Sequence, residues 1–182
     1  PRWSAGSGAQ APLSRMDAAL LALVVLPGEA PRDRVATWLW PAVSVKTANV
    51  NLRQHLFKLR QASGHAVLDS GAMLRPAAGV VVDRAQLPLP EGELLGGFDY
   101  GDSQALDAWV AAERERLRLA RADALAARAA ELEGQGALAA ALDLAARILE
   151  LTPTQEHAWR RLVSRFRLCR FGSAGLVYHR ES

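Results

Sequence analysis

Between residues 46 and 60 the chain carries Lys46, Thr47, Asn49, Asn51, Arg53, Gln54, Lys58 and Arg60, all hydrogen-bond donors and none of them acidic. Asn and Gln can hold adenine through two hydrogen bonds, while Arg and Lys can hold guanine or a phosphate. The chemistry this set offers is recognition of a polyanion, double-stranded DNA above all. Arg75, further along, can enter a minor groove from a hairpin; it reads equally well as a surface strand residue.

The charge distribution around this set is uneven. Residues 1–90 hold ten Lys/Arg against five Asp/Glu, whereas residues 91–182 hold twelve against fourteen. No acid occurs between Asp33 and Asp69, although Arg34, Lys46, Arg53, Lys58 and Arg60 all fall there. A carboxylate facing a phosphate backbone would repel it, and solvated helix faces usually mix signs. An acid-free stretch therefore favours polyanion contact over a bland surface. Arginine abundance by itself says little, since only Lys46 and Lys58 are lysine and an Arg- and Ala-rich vocabulary follows genome composition.

Those side chains need a scaffold, and the apolar pattern supplies one. Residues 1–13, with Gly6, Ser7, Gly8 and Pro12, read as a flexible leader. From Ser14, a helix cap, Met16, Ala19, Leu20, Leu23 and Val24 form an apolar face that ends before Pro27-Gly28. Pro31 opens a second helix at a first-turn position, with Val35, Leu39 and Trp38 inward and Pro41 as its stop. Ser44 or Thr47 caps a third helix running to about Ala62, where Ala48, Leu52, Leu56 and Leu59 mark one buried face. Ala66-Val67-Leu68, Ser70-Gly71 and Met73-Leu74 read as a hairpin, and Val80-Val81-Val82 as a further strand. Three short helices and a small hairpin over residues 14–84 are the order of a winged helix-turn-helix.

Residues 85–104, rich in Pro and Gly, read as a connecting loop. Beyond them the pattern is helical: a long helix from about Ala105 to Gly134, a second from Ala137 to Leu151, and a third from about Gln155 to Arg170. A period of 34 residues aligns Leu125 with Trp159, Leu132 with Phe166 and Ala141 with Gly175, as in tetratricopeptide repeats. Residues 105–182 thus read as a tetratricopeptide-like domain whose second unit is cut short at Ser182. A chain opening on Pro1 reads as a piece of a longer protein. The fold class expected is mainly α with a small β wing.

Other chemistries find little support. No GxxxxGK[ST], HExxH or GxSxG string occurs, and His55, His65, His157 and His179 have no metal-ligand spacing. His55 can touch phosphate or serve as a partly buried structural group. Cys169 reads as a buried thiol, and one cysteine forms no internal disulfide. Glu113-Arg114-Glu115-Arg116 reads as a solvated helix face with i, i+3 pairing, and Trp38-Leu39-Trp40-Pro41 as a core and turn element. The longest apolar run, Ala18 to Leu26, is too short to span a bilayer. No catalytic site, cofactor or metal is expected, nor any membrane association, and a reducing, cytoplasmic setting fits.

Five blocks carry a family resemblance, beginning with Asp17-Ala18-Ala19-Leu20-Leu21-Ala22-Leu23 of the first helix. Arg34-Val35-Ala36-Thr37-Trp38-Leu39-Trp40-Pro41 and Asn49-Val50-Asn51-Leu52-Arg53-Gln54-His55-Leu56-Phe57-Lys58-Leu59-Arg60 resemble the winged helix of the Streptomyces antibiotic regulatory protein group. Phe98-Asp99-Tyr100 and Trp109-Val110-Ala111-Ala112-Glu113-Arg114-Glu115-Arg116 resemble the bacterial transcriptional activator domain that accompanies it. The resemblance covers about residues 14–178 and rests on the order of the blocks more than on any one. It implies a response-regulator-type winged helix joined to tetratricopeptide-like helices, with the third helix in the major groove and the hairpin in the minor groove. It also implies promoter DNA, including direct repeats, as partner, with RNA polymerase facing residues 41–45 and a homodimer as a compatible form. Members have a small sheet before the first helix, which residues 1–13 look too short and Gly-rich to supply.

The function expected is therefore sequence-specific DNA binding by a transcription regulator, an activator by resemblance. The alternative is a protein-interaction module in which the helical repeats dock a partner and the winged helix is only structural. Salt-sensitive DNA binding separates the two.

Overall fold

The computed structural model describes residues 2–4, 10–80 and 92–152, the first six of them as backbone only. Among these residues the chain is mainly helical, with five helices and two small antiparallel sheets. It divides into two compact units, Pro1–Arg114 and Glu115–Ser182.

The first unit begins with strands β1 (Arg2–Ser4) and β2 (Gln10–Pro12), paired with Arg2 opposite Pro12 and Ser4 opposite Gln10. The flexible leader expected over residues 1–13 is thereby corrected, since it contains a two-stranded sheet. Strands of three residues are too short to display a period-two pattern, and the Gly-rich composition pointed to a loop. Helix α1 (Arg15–Val25) follows, capped by Ser14, whose hydroxyl accepts the Asp17 N–H at 3.2 Å. Ala18, Ala19, Leu20, Ala22, Leu23 and Val24 bury its inner face.

Pro31 lies at the end of β3 (Ala30–Pro31) and caps α2 (Arg32–Leu39), so the helix starts one residue later than expected. Its φ of −60° suits an extended residue as well as a helical one, and strand pairing decides between them. After α3 (Val45–Ser63) come β4 (Leu68–Ser70) and β5 (Met73–Pro76). These form the expected hairpin, with Asp69 opposite Arg75. The sheet order is β3-β5-β4, so the third strand is Ala30–Pro31 from before α2. The strand expected at residues 80–82 is not formed at Val80, and residues 81–82 lie outside those described.

One core unites α1, α2, α3 and the sheet. Leu20, Val24, Leu52 and Leu74 are fully buried in it, beside Val35, Leu39 and Ala48. Trp38 and Trp40 pack against it, as expected of a core and turn element.

The same core takes in residues well beyond the hairpin. Leu95, Tyr100, Leu106 and Val110 are buried in it, with Leu94, Phe98 and Trp109 packed alongside. The part of the expected connecting loop that is described, residues 92–103, is therefore a packed segment of the first unit. Its Gly-rich spacing hides this, because the apolar residues are too few per turn to show a period. Leu95 adopts φ +54°, a conformation disfavoured for a branched side chain, and its burial offsets the strain. Tyr100 donates from its hydroxyl to the Arg15 carbonyl at 3.1 Å. The Arg15 guanidinium lies 5.5 Å from the Tyr100 ring centroid and grips Asp102 through two hydrogen bonds of 2.9 and 2.7 Å.

Helix α4 (Gln104–Gly134) follows Ser103, whose carbonyl accepts the Asp107 N–H at 2.9 Å, and contributes residues to both units. Within the first, Arg114 donates to the Leu94 carbonyl at 2.9 Å and pairs with Glu93 at 3.2 Å. The Glu113–Arg116 run is thus not wholly a solvated face, and its Glu115 makes an i, i+3 pair with Arg118, beyond the run. In the second unit, α5 (Leu138–Leu151) packs on α4 through Ile148 and Ala122, with Leu125, Ala126 and Leu149. A left-handed Gly136, φ +77°, makes the turn between them. Arg118 donates to the Leu151 carbonyl, and buried Thr152 closes α5 by donating to Ile148 O at 2.8 Å. The expected third helix, with Trp159, Phe166 and Cys169, and the repeat position Gly175 beyond it lie outside the described residues.

Three variants test the packed segment. Tyr100→Ala should cost about 3–5 kcal/mol in denaturant unfolding and Tyr100→Phe only about 1 kcal/mol, because the second keeps the ring and loses one hydrogen bond. The hydrogen bonds from Arg15 hold the Asp102 carboxyl below the ordinary aspartate range. A lowered folded value means that the stabilisation is complete well above about pH 4 and fades as pH falls through the folded value. Asp102→Asn should therefore lower Tm at neutral pH, with the difference from wild type closing in acid. A difference independent of pH would contradict this pairing.

Candidate nucleic-acid interface

Helix α3 is a helix because Ser44 starts it and Gly64 ends it. The Ser44 hydroxyl accepts the Thr47 N–H at 3.2 Å, and Gly64 takes a left-handed φ of +75°. Ser44, not Thr47, is thus the cap. Thr47 contributes its N–H and lies 2.9 Å from the Ser44 hydroxyl through its own.

Ala48, Leu52, Leu59 and Ser63 are the buried positions of α3, and Leu56 is partly buried against the same core. This stripe sets the rotation of the helix, so the opposite side faces outward. Lys46, Thr47, Arg53, Gln54, Lys58 and Arg60 are exposed on it, and Asn51 is half-buried at its edge. Among the described residues, Lys46, Arg53, Lys58 and Arg60 make no hydrogen bond or ion pair. Four cations share one surface, and none of them is in an ion pair among the described residues.

Two other expected contact residues are held within the chain. Asn49 accepts the Arg32 Nε–H at 3.1 Å and donates from Nδ2 to Asp33 at 2.9 Å and to the Val45 carbonyl at 3.2 Å. Both ends of its amide are therefore engaged in tying α2 to α3. Arg75, at an exposed hairpin position, donates from Nε to Glu29 at 2.8 Å. That pair is solvent-exposed on both sides and is worth little in water, so a stronger anion can displace it. Arg34, on α2, lies 5.9 Å from the Trp38 ring centroid and belongs to the supporting helix.

His55 takes the structural role. Its Nδ1 lies 2.7 Å from Asp17 and its ring 5.3 Å from that of Trp40, so it links α3 to α1 and to the end of α2. His65 is exposed, and its carbonyl accepts the buried Ser63 hydroxyl at 2.7 Å.

Two features were missed in the sequence. Val50 and Phe57 lie on the outward side of α3, 44% and 60% exposed, between the cations. An apolar residue is ordinarily assigned to a core, and only the positions of Ala48 and Leu52 show that these two cannot reach it. A groove of about 550 Å³ also runs between α3 and β4, lined by Arg32, Arg53, Phe57, Arg60, Leu56 and Asp69 among others. It needs the hairpin folded back beside the helix, which no local pattern reveals.

No family model, curated protein or solved structure matches this chain. The geometry of the surface therefore carries the functional argument. Among the described residues, no group of His, Cys, Asp or Glu could hold a metal ion, and no helix is long and apolar enough to cross a membrane.

The two asparagines separate structural from surface roles. Asn49→Ala should lower stability by about 1–3 kcal/mol, because it leaves Arg32 and Asp33 without their shared partner. Asn51→Ala, whose side chain has no partner among the described residues, should shift it by no more than about 0.5 kcal/mol. Chemical denaturation of both variants checks this, and equal losses would remove the distinction.

Proposed function

We propose that the chain is a DNA-binding transcription regulator whose first unit is a winged helix-turn-helix. In this reading α3 enters the major groove and the β4–β5 hairpin is the wing beside the adjacent minor groove. The α4–α5 hairpin belongs to a tetratricopeptide-like domain, and the resemblance to Streptomyces antibiotic regulatory proteins favours an activator acting on promoter DNA in the cytoplasm.

The observation that carries the proposal is the outward face of α3, with Lys46, Arg53, Lys58 and Arg60 exposed and without partners among the described residues. Mutual repulsion makes such a cluster unfavourable in the free protein, and a phosphate backbone relieves it. Asn51 and Gln54 add amides able to read base edges, beside the cations that set register. The wing role of Arg75 requires exchange of Glu29 for a phosphate or a groove edge.

Four phosphate contacts give a slope of about −3.6 for log affinity against log salt, or about a 150-fold loss between 50 and 200 mM. Fluorescence anisotropy with a random-sequence duplex pool measures this. Arg53→Ala with Lys58→Ala should reduce the slope to about −1.8 while leaving the circular dichroism spectrum and Tm unchanged. An unaltered slope in the double variant would displace the interface from α3. Binding of a protein partner through residues 105–182, with no salt-sensitive DNA binding, would favour an interaction module instead.

A further inference from the structure

Lys46, Val50, Arg53, Phe57 and Arg60 follow one another along the outward side of α3 at spacings of four, three, four and three residues. Cation and apolar side chain alternate along that line. Val50 and Phe57 are 44% and 60% exposed, the second being among the largest apolar groups in the first unit to face solvent. A single exposed apolar residue needs no explanation. Two of them, two helical turns apart and each flanked on both sides by an unpaired cation, form a pattern with a chemical counterpart.

We propose that Val50 and Phe57 read thymine methyl groups, so that the site bound by α3 contains thymines at two positions in the major groove. The inference rests on the DNA-binding reading above and specifies its substrate. Thymine is the base that presents an apolar group in the major groove, where aliphatic and phenyl side chains pack on it. Hydrogen-bond donors gain little from that contact, and of the four bases thymine alone offers a methyl group in the major groove. Seven residues of helix advance about 10.5 Å, which matches about three base-pair steps of 3.4 Å when the helix runs along the groove. The flanking Lys46, Arg53 and Arg60 supply the attraction that brings a polyanion to this line. The absence of carboxylates from residue 34 to 68 removes the charge that would select a basic partner.

The test uses duplexes selected by the wild-type chain from a random pool, then synthesised with thymidine or with deoxyuridine throughout. Uracil lacks only the methyl group and keeps every hydrogen bond. Wild type should bind the deoxyuridine duplexes more weakly, by about fourfold for each contacted methyl and about fifteenfold for two. Val50→Ser with Phe57→Ser should bind both forms equally while keeping the wild-type salt slope. Both positions are exposed, so the double variant should keep the wild-type Tm. Wild-type binding that is salt-sensitive but equal on both forms overturns this inference and leaves the DNA-binding reading standing. A double variant that retains the preference for thymidine likewise overturns it, since the preference would then come from other groups. Failure of wild type to bind any duplex removes the DNA-binding reading and this inference together.

Discussion

The surface chemistry of the first unit depends on how α3 is rotated, and four small or aliphatic residues set that rotation. Ala48 and Leu52 have no solvent exposure, and Leu59 and Ser63 have little. Because they recur at helical spacing, burying them turns the remaining side of a 19-residue helix outward as a unit. Rotation by one residue, about 100° of arc, would bury Arg53 and expose Leu52. The cost of an unpaired buried guanidinium excludes that alternative. The hydrogen bonds of Asn49 to Arg32 and Asp33 hold the same rotation from the side, and the His55–Asp17 pair holds it from below.

Arginine placement in this unit follows a division of labour. Arg15, Arg32 and Arg75 each have a hydrogen-bonding partner, and Arg34 lies over Trp38. Arg53 and Arg60 have none among the described residues, and neither do Lys46 and Lys58. The carboxylate partners of the first group, Asp102 and Glu29, lie outside α3, and the partner of Arg32 is the neutral amide of Asn49 on α3. An α3 without acids leaves its own outward cations no nearby carboxylate at helical spacing, where an i, i+4 pair would otherwise form. Charge is thus stored on one surface because the sequence withholds the means to quench it.

The core of this unit also extends further along the chain than its hairpin. Leu95, Tyr100, Leu106 and Val110 complete it, and Arg15 binds both the Asp99 carbonyl and the Asp102 carboxylate. The contact joins the first turn of α1 to residues more than eighty positions later, so the segment after the hairpin is a structural part of the unit that carries α3. Signals of local sequence could not disclose it. The apolar residues there are separated by glycines, and their partner surface comes from a helix at the other end of the domain.

The sequence by itself determined where the helices α1, α3, α4 and α5 run, that a hairpin follows α3, and that α3 lacks acids. These depend on caps, glycines and the spacing of apolar residues, all of which act within a few positions along the chain. The residues of the cationic face were legible for the same reason, since a helical period assigns sides before any packing is known. Tertiary structure alone decided the rest. It made Ala30–Pro31 a strand through pairing with β5, gave Asn49 and His55 to internal ties, and paired Arg75 with Glu29. It also left Val50 and Phe57 in solvent. In each case the deciding partner lies on another element, and the energy of a contact depends on distance in space, which a one-dimensional pattern does not contain.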